Sequence, residues 1–267
     1  MAEPALPEYR RIAVFGGVYS NAPALEAVLD DARARDVEAV FCLGDMGGFG
    51  PHPDRALARL RDSAVQALQG NYDESLARGR SDCGCGYTDP RDNYYARVSY
   101  QYTVRHTSAD NIRWLASLPT ARRIRLGERR ALMCHGSPQL INEFLWESTT
   151  PNGYVRRLCR DHATDLIVCT HTGLKWERAL PEGEQLVNVG VIGRPGNDGT
   201  RNVWYAVLSA VPDVQVEFIP VTYDWERTAS EIEQEGLPSQ FAETIRTGWW
   251  TTCLEVLPHR ERARGRF

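Results

Sequence analysis

The sequence predicts an α/β protein in which β-sheets are sandwiched by helices. Apolar runs of strand length recur along the chain, and helical patterns separate the early runs. The later runs lie closer together, with turn signals between them. Strand–helix alternation followed by a strand-rich half is typical of sheets covered by helices. At 267 residues the chain is long enough to bury a full core.

The predicted elements follow from these patterns in chain order. Eight apolar runs are the predicted strands, at residues 11–15, 39–43, 64–68, 130–134, 165–169, 185–189, 203–208 and 214–220. Amphipathic spacing predicts helices at residues 22–36, 52–63 and 108–119, and two shorter ones between 223 and 250. No repeat or linker divides the chain, so we expect one domain over 1–220 and a helical extension, 221–267, packed on it.

Composition excludes some classes of partner. Hydrophobic residues at 42% and charged residues at 25% are ordinary for a soluble globular protein. A formal charge of −4 offers no attraction for nucleic acid or for an anionic membrane, so we expect neither as a partner. The oligomeric state stays open. Seven cysteines, several of them in apolar runs, favour a reducing, cytoplasmic setting without a disulfide framework.

Four predicted strands are each followed by a residue that can bind a metal. These residues are Asp45, Asn71, His135 and His171. If their strands share a sheet, the four side chains converge at one edge of it. A carboxylate, an amide oxygen and two imidazoles suit a divalent transition metal ion such as zinc, manganese or iron.

The segments around these residues resemble the motifs of the calcineurin-like metallophosphoesterases, especially the small bacterial branch of that family. The similar segments are "LGDMGGFGP", "GNYDE", "CHGSP", "CTHTG" and "VNVGVIGRP", in the family's order. The resemblance implies a fold of two facing mixed sheets flanked by helices. It also implies a metal-binding hydrolase, a phosphatase or phosphodiesterase, acting on a small phosphorylated molecule.

The chain departs from the family pattern at one of its two metal sites. The first loop of the family reads Asp-X-His-Gly-Asn, and here Gly17 and Tyr19 stand at its two ligand positions. Gly173 replaces a third ligand of the same metal, and Tyr72 replaces the histidine that in relatives assists the leaving group. The resemblance therefore implies that the second metal site, which contains the bridging carboxylate Asp45, is the one retained.

Some residues are candidates to replace the missing ligands. Cys83 and Cys85 stand in a glycine-rich loop after Asn71, where they can bind a soft metal, form a redox pair or have no role. Cys253 and His259 could complete such a site. Tyr19 either binds metal through its phenolate or packs against its neighbours. Arg194 either clamps a substrate phosphate through its guanidinium or is a plain surface residue.

Three functions are compatible with these observations. The first is a metal-dependent phosphoesterase for a small phosphate ester or phosphodiester, with Asp45, Tyr72, His135 and Arg194 as candidate catalytic residues. The second is a non-catalytic member of the family that binds a metal or a phosphorylated ligand and acts through a partner. The third is altered metal chemistry that uses the Cys83 and Cys85 loop.

Overall fold

Two β-sheets face each other in the computed structural model, which describes residues 5–266. The six-stranded sheet has the spatial order β1 (Glu8–Tyr9), β5 (Ala121–Leu126), β6 (Arg129–Cys134), β7 (Leu166–Cys169), β9 (Gln185–Val189) and β8 (Lys175–Ala179). The five-stranded sheet has the order β11 (Val214–Val221), β10 (Val203–Ala210), β2 (Arg11–Phe15), β3 (Ala39–Cys42) and β4 (Gln66–Ala67). Both sheets contain parallel and antiparallel pairs, so the predicted fold class is confirmed.

Helices surround the two sheets. They are α1 (Ala22–Arg33), α2 (Pro53–Arg61), α3 (Asn71–Ala77), α4 (Pro90–Arg105), α5 (Ala109–Ser117), α6 (Asn152–Asp161), α7 (Trp225–Gln234), α8 (Ser239–Thr247) and α9 (His259–Arg264). The predicted helices correspond to α1, α2, α5, α7 and α8. The apolar face of α4 is built largely from tyrosines, which weakens the periodic signal that the sequence gives there.

The core between the sheets follows from the alternation of side chains along each strand. In β2, Ile12 and Val14 point toward the six-stranded sheet, whereas Ala13 and Phe15 pack under α1 on the other face. All four side chains are fully buried. Because both faces of β2 are covered, its sequence is a continuous apolar run rather than an alternating one.

The C-terminal segment lies against the first helix of the chain. Helix α7 contacts α1, and α8 packs on α7. Helix α8 ends at Gly248, whose φ of 76° is the left-handed conformation that glycine adopts readily at helix ends. The boundary between a domain at 1–220 and an extension at 221–267 stays a prediction, and its residues 1–4 and Phe267 lie outside the described residues.

No helix within residues 5–266 combines the length and the apolar character that crossing a membrane requires.

Candidate metal centre

The predicted ligands come together from both sheets. Asp45 and Asn71 follow β3 and β4 of the five-stranded sheet, and His135 and His171 follow β6 and β7 of the six-stranded sheet. The expectation that their strands share one sheet is therefore wrong. Asp45, His135 and His171 still meet, because the two sheets face each other and the strands before these residues end on the same side of the molecule.

Three of these side chains form a buried cluster. Ligand atoms of Asp45, His135 and His171 all lie within 4.8 Å of one another. Nε2 of His135 is 3.1 Å from Nδ1 of His171 and 3.3 Å from Oδ2 of Asp45. One oxygen and two nitrogen atoms thus face a common point, which is the arrangement that a borderline divalent ion requires.

Asn71 is the fourth predicted metal ligand. It begins α3 and is 2% exposed. Its Nδ2 donates to the carbonyl oxygen of Cys83 at 2.9 Å, and this bond orients the amide. Its Oδ1 is buried and has no hydrogen-bond partner among the residues described. A buried acceptor without a donor is costly unless something else binds it, so the unpaired oxygen fits a metal ligand.

Hydrogen bonds from the backbone fix the ligand orientations. Nδ1 of His135 donates to the carbonyl oxygen of Leu43 at 2.7 Å, so that Nε2 faces the cluster. Oδ1 of Asp45 accepts from the backbone N–H of Tyr72 at 3.0 Å, which leaves Oδ2 turned toward His135. Such outer contacts hold ligands in place before any ion binds.

Asp73 joins the two ligand loops of the five-stranded sheet, a role that was not predicted. Its Oδ2 accepts from the backbone N–H of Asp45 at 2.7 Å and of Gly70 at 2.8 Å, and its Oδ1 accepts from Met46. The sequence signal is its place three residues after Gly70, at the third helical position, where a carboxylate can reach back to the helix start.

Burial and mutual charge shift the pKa values of these groups. Burial opposes ionisation of Asp45, but the adjacent His135 holds the pKa of Asp45 below its usual range. Burial would lower the pKa of His135, yet Asp45 raises it. Burial and the charge of His135 lower the pKa of His171 to about 3, so its imidazole is neutral. Burial and the charge of Asp45 raise the pKa of Asp73 to about 7.

The Cys83 and Cys85 loop lies beside the ligands but does not offer thiolates. The two sulfur atoms form a disulfide bond, so the predictions of a metal-binding thiol pair and of a chain without disulfides are wrong at this loop. The loop contacts the centre through Asn71, whose Nδ2 lies 3.6 Å from Sγ of Cys85. The other cysteines of the described chain, at 42, 134, 159, 169 and 253, are free and buried.

Tyr72 points away from the ligands. Its hydroxyl is 2.9 Å from Oγ of Ser99, and its ring packs edge-on against Tyr100 in the core. The structure therefore does not bring this hydroxyl to the position that the family's leaving-group histidine would occupy. The reason is steric, since a tyrosine ring is larger and more apolar than imidazole and is 1% exposed here.

Arg194 is buried rather than on the surface. It is 6% exposed, and its guanidinium carbon lies 3.5 Å from the ring centre of Trp250. Tyr19 packs beside it, with ring centres of Tyr19 and Phe49 5.0 Å apart. Cys253 is also buried in this region, whereas His259 is an exposed residue at the start of α9 and does not complete a site.

Aromatic side chains cover the cluster. The ring of Phe144 lies 4.3 Å from that of His171, and Tyr87 and Trp146 stack on Phe144 at 5.9 Å and 5.3 Å. Phe144 and Trp146 follow His135 by nine and eleven residues, and Tyr87 follows Asn71 by sixteen. The hydrophobic periodicity of the sequence does not indicate which aromatic side chains cover the cluster.

Comparisons with known proteins agree with this geometry. A family model described as the calcineurin-like phosphoesterase superfamily domain matches residues 11–211. The uncharacterized protein MJ0912 of Methanocaldococcus jannaschii is 27% identical over 251 residues, which cover 89% of this chain and 98% of that protein. A metallophosphoesterase from Sphaerobacter thermophilus is 25% identical, with a TM-score of 0.69, covering 90% of this chain and 99% of its own. Protein PH1004 of Pyrococcus horikoshii OT3 shares the fold at 21% identity, with a TM-score of 0.75 over 91% of this chain and 100% of its own. The chain belongs to the calcineurin-like phosphoesterase superfamily.

Proposed function

We propose that this protein is a metal-dependent phosphoesterase that hydrolyses a small phosphate ester or phosphodiester at a single-ion centre. Asp45, Asn71, His135 and His171 hold one divalent transition metal ion, zinc, manganese or iron. The observation that supports this most directly is the buried cluster of ligand atoms from Asp45, His135 and His171, all within 4.8 Å of one another, and the unpaired Oδ1 of Asn71 agrees with it. A structural cluster would instead pair this oxygen with a donor.

The residues of the chain prepare the site for hydrolysis. Asp45 presents one carboxylate oxygen, because the other is held by the N–H of Tyr72. His171 is neutral and keeps a nitrogen lone pair available for a cation. A bound divalent ion lowers the pKa of its water and polarises a phosphoryl oxygen. The rings of Phe144 and Tyr87 limit access of other water to the cluster, which strengthens electrostatic interactions inside it.

The test combines metal analysis with turnover. We expect about one transition metal ion per chain in purified protein, because only one ligand set is complete. We also expect weak hydrolysis of p-nitrophenyl phosphate or bis-p-nitrophenyl phosphate. His135→Ala and His171→Ala should lower both metal content and hydrolysis by at least ~100-fold, since loss of outer contacts alone lowers affinity ~10–100-fold.

His259→Ala is the matched control, because this histidine is exposed and outside the cluster. It should keep the metal content and the rate of the unmodified protein. The proposal is refuted if hydrolysis survives both His135→Ala and His171→Ala, or if two ions of equal occupancy bind to the unmodified chain.

A non-catalytic role is the second candidate, and one observation favours it. The hydroxyl of Tyr72 is bonded to Ser99 and is not available to protonate a leaving group. A member of this kind would bind a metal or a phosphorylated ligand and act through a partner protein. Full metal occupancy with no turnover of either ester, over a panel of divalent ions, would support this candidate against the first.

A further inference from the structure

Arg194 is a buried cation that has no carboxylate partner among the described residues. Its Nε and Nη1 atoms are inaccessible to solvent and have no hydrogen-bond partner within the described part of the chain. A buried charge is normally paired, because removing an ion from water is unfavourable even after the protein around it relaxes. The residue therefore needs an explanation other than packing.

Aromatic rings compensate the charge only in part. The guanidinium carbon lies 3.5 Å from the ring centre of Trp250, 5.4 Å from that of Phe49 and 5.7 Å from that of Tyr19. Contacts with ring faces stabilise the cation but leave the N–H groups in the guanidinium plane without acceptors. The rings hold the side chain in one place, with its donors free for another group.

The guanidinium lies against two residues that adjoin the proposed metal centre, Gly173 and Tyr19. A Cβ atom at Gly173 would be 3.2 Å from Nη2 of Arg194 and 2.8 Å from Cη2 of Trp250. Gly173 is two residues from His171, and the backbone N–H of Tyr19 donates to the carbonyl oxygen of Asp45 at 3.2 Å. Both residues next to the guanidinium are thus linked to proposed ligands.

This position is also where the family pattern expects the missing ligands. Gly173 and Tyr19 stand at two of the three vacated positions of the first metal. The absence of a side chain at Gly173 makes room for Arg194 and Trp250, because a larger residue there would collide with Trp250. Gly173, which stands at one of the vacated positions, is thus the residue that leaves room for the cation.

We propose that Arg194, held by Trp250 and Tyr19, forms an anion-binding subsite that supplies the positive charge of the absent first metal. The subsite binds a non-bridging oxygen of a phosphoryl group whose other oxygen faces the Asp45, His135 and His171 cluster. Arginine suits this role because its planar fork donates two parallel hydrogen bonds to phosphate. The identity of the anion as a phosphoryl group rests on the proposed function; the binding of an anion does not.

Inorganic phosphate is the probe. Calorimetric titration of the metal-loaded protein should show binding that weakens at least tenfold in Arg194→Gln and less in Arg194→Lys, since lysine keeps a point charge but loses the fork. Metal content should be the same in all three proteins. Arg201→Gln is the matched control, because Arg201 also lies over a tryptophan ring, that of Trp225 at 4.5 Å, but is exposed. Its phosphate affinity should not change.

A second measurement separates this role from a structural one. Arg194→Met removes the unpaired charge and keeps an apolar contact with the rings, so its Tm should equal or exceed that of the unmodified protein. A lower Tm with unchanged phosphate affinity would overturn the proposal. Absence of phosphate binding in the unmodified, metal-loaded protein would overturn it too. Failure of ester hydrolysis would not, because binding is measured without turnover.

Discussion

Two of the proposed ligands adopt a backbone conformation that is uncommon for residues with a side chain. Asp45 has a φ of 56° and His171 a φ of 67°, both in the left-handed region. Such a conformation is unfavourable by ~1–3 kcal/mol for a residue other than glycine, and it persists where the surrounding structure requires it. Strain at two ligand positions from different sheets is the pattern expected of a functional site rather than of a packed core.

Substitution of Gly70 tests whether close backbone packing shapes the metal centre. A Cβ atom there would collide with Oδ1 and the backbone nitrogen of Asp45 and would lie 2.8 Å from Nδ1 of His135. We expect Gly70→Ala to lower the free energy of unfolding by ~1–3 kcal/mol, as overpacking does, and to reduce metal content. Urea unfolding and elemental analysis measure the two effects.

Gly153→Ala is the control for this substitution. Gly153 is in α6, has no atom near the position of a Cβ and no positive φ, so alanine should raise stability by ~0.4–1 kcal/mol through the unfolded state. Equal effects of the two substitutions, or full metal content in Gly70→Ala, would show that Gly70 does not shape the centre.

The sequence predicts the ligand positions better than their surroundings. Asp45 and His135 could be found because each follows a buried strand, and strand ends are local features. The cage around Arg194 could not, because Trp250 reaches it from a segment more than fifty residues further along the chain. Residue patterns report which face of an element is buried, not which distant side chain covers it.

At the scale of elements, the apolar strands were predicted and the charged ones were not. All eight predicted strands are present, although the run at 64–68 contributes only β4 at Gln66–Ala67. Strand β5 was missed, because its sequence, Ala-Arg-Arg-Ile-Arg-Leu, contains three arginines and only Ile124 and Leu126 are buried. Strand β5 pairs with β6 along its whole length in a hairpin. This pairing stabilises a strand whose sequence has little strand propensity of its own.

The loop with the disulfide gives a prediction at the element scale. In this loop the carbonyl oxygen of Cys83 accepts from Asn71 and that of Gly84 accepts from Asn142, each at 2.9 Å, and Sγ of Cys85 lies 3.6 Å from Nδ2 of Asn71. Since neither sulfur faces the cluster as a free thiolate, Cys83→Ser with Cys85→Ser should leave metal type and ions per chain unchanged. Thiol titration of unreduced, denatured protein should find the five free cysteines named above. A count of seven before reduction, or altered metal in the serine variant, would contradict this.

At the scale of the whole molecule, the C-terminal segment packs against Arg194 through Trp250. Trp250, which follows α8, is 1% exposed, and its indole N–H donates to the carbonyl oxygen of Pro195 at 2.7 Å. The backbone N–H of Trp250 donates to Oδ1 of Asn197 at 2.8 Å. The family model ends at residue 211, so the ring that holds Arg194 comes from beyond the matched region. The C-terminal segment therefore contacts the proposed anion subsite.

Replacing Trp250 tests this connection. We expect Trp250→Ala to lower the free energy of unfolding by ~3–5 kcal/mol, the range for removing a large buried aromatic side chain. Trp249→Ala should have a smaller effect, since Trp249 is only half-buried. Urea unfolding of the two variants makes the comparison. Equal losses, or a loss below ~1 kcal/mol for Trp250→Ala, would mean that Trp250 does not anchor the C-terminal segment to the rest of the molecule.

The origin of the ligands in two different sheets has a mechanical consequence. Each sheet brings half of the proposed coordination set on its own pair of neighbouring strands, and the two halves come from separate stretches of the chain. An ion bound by both halves would join the two sheets, so its affinity would depend on the distance between them. Any change that slides one sheet over the other by a fraction of an ångström alters the bond lengths of both halves at once. Measured metal affinity would therefore report how well the two sheets are aligned with each other.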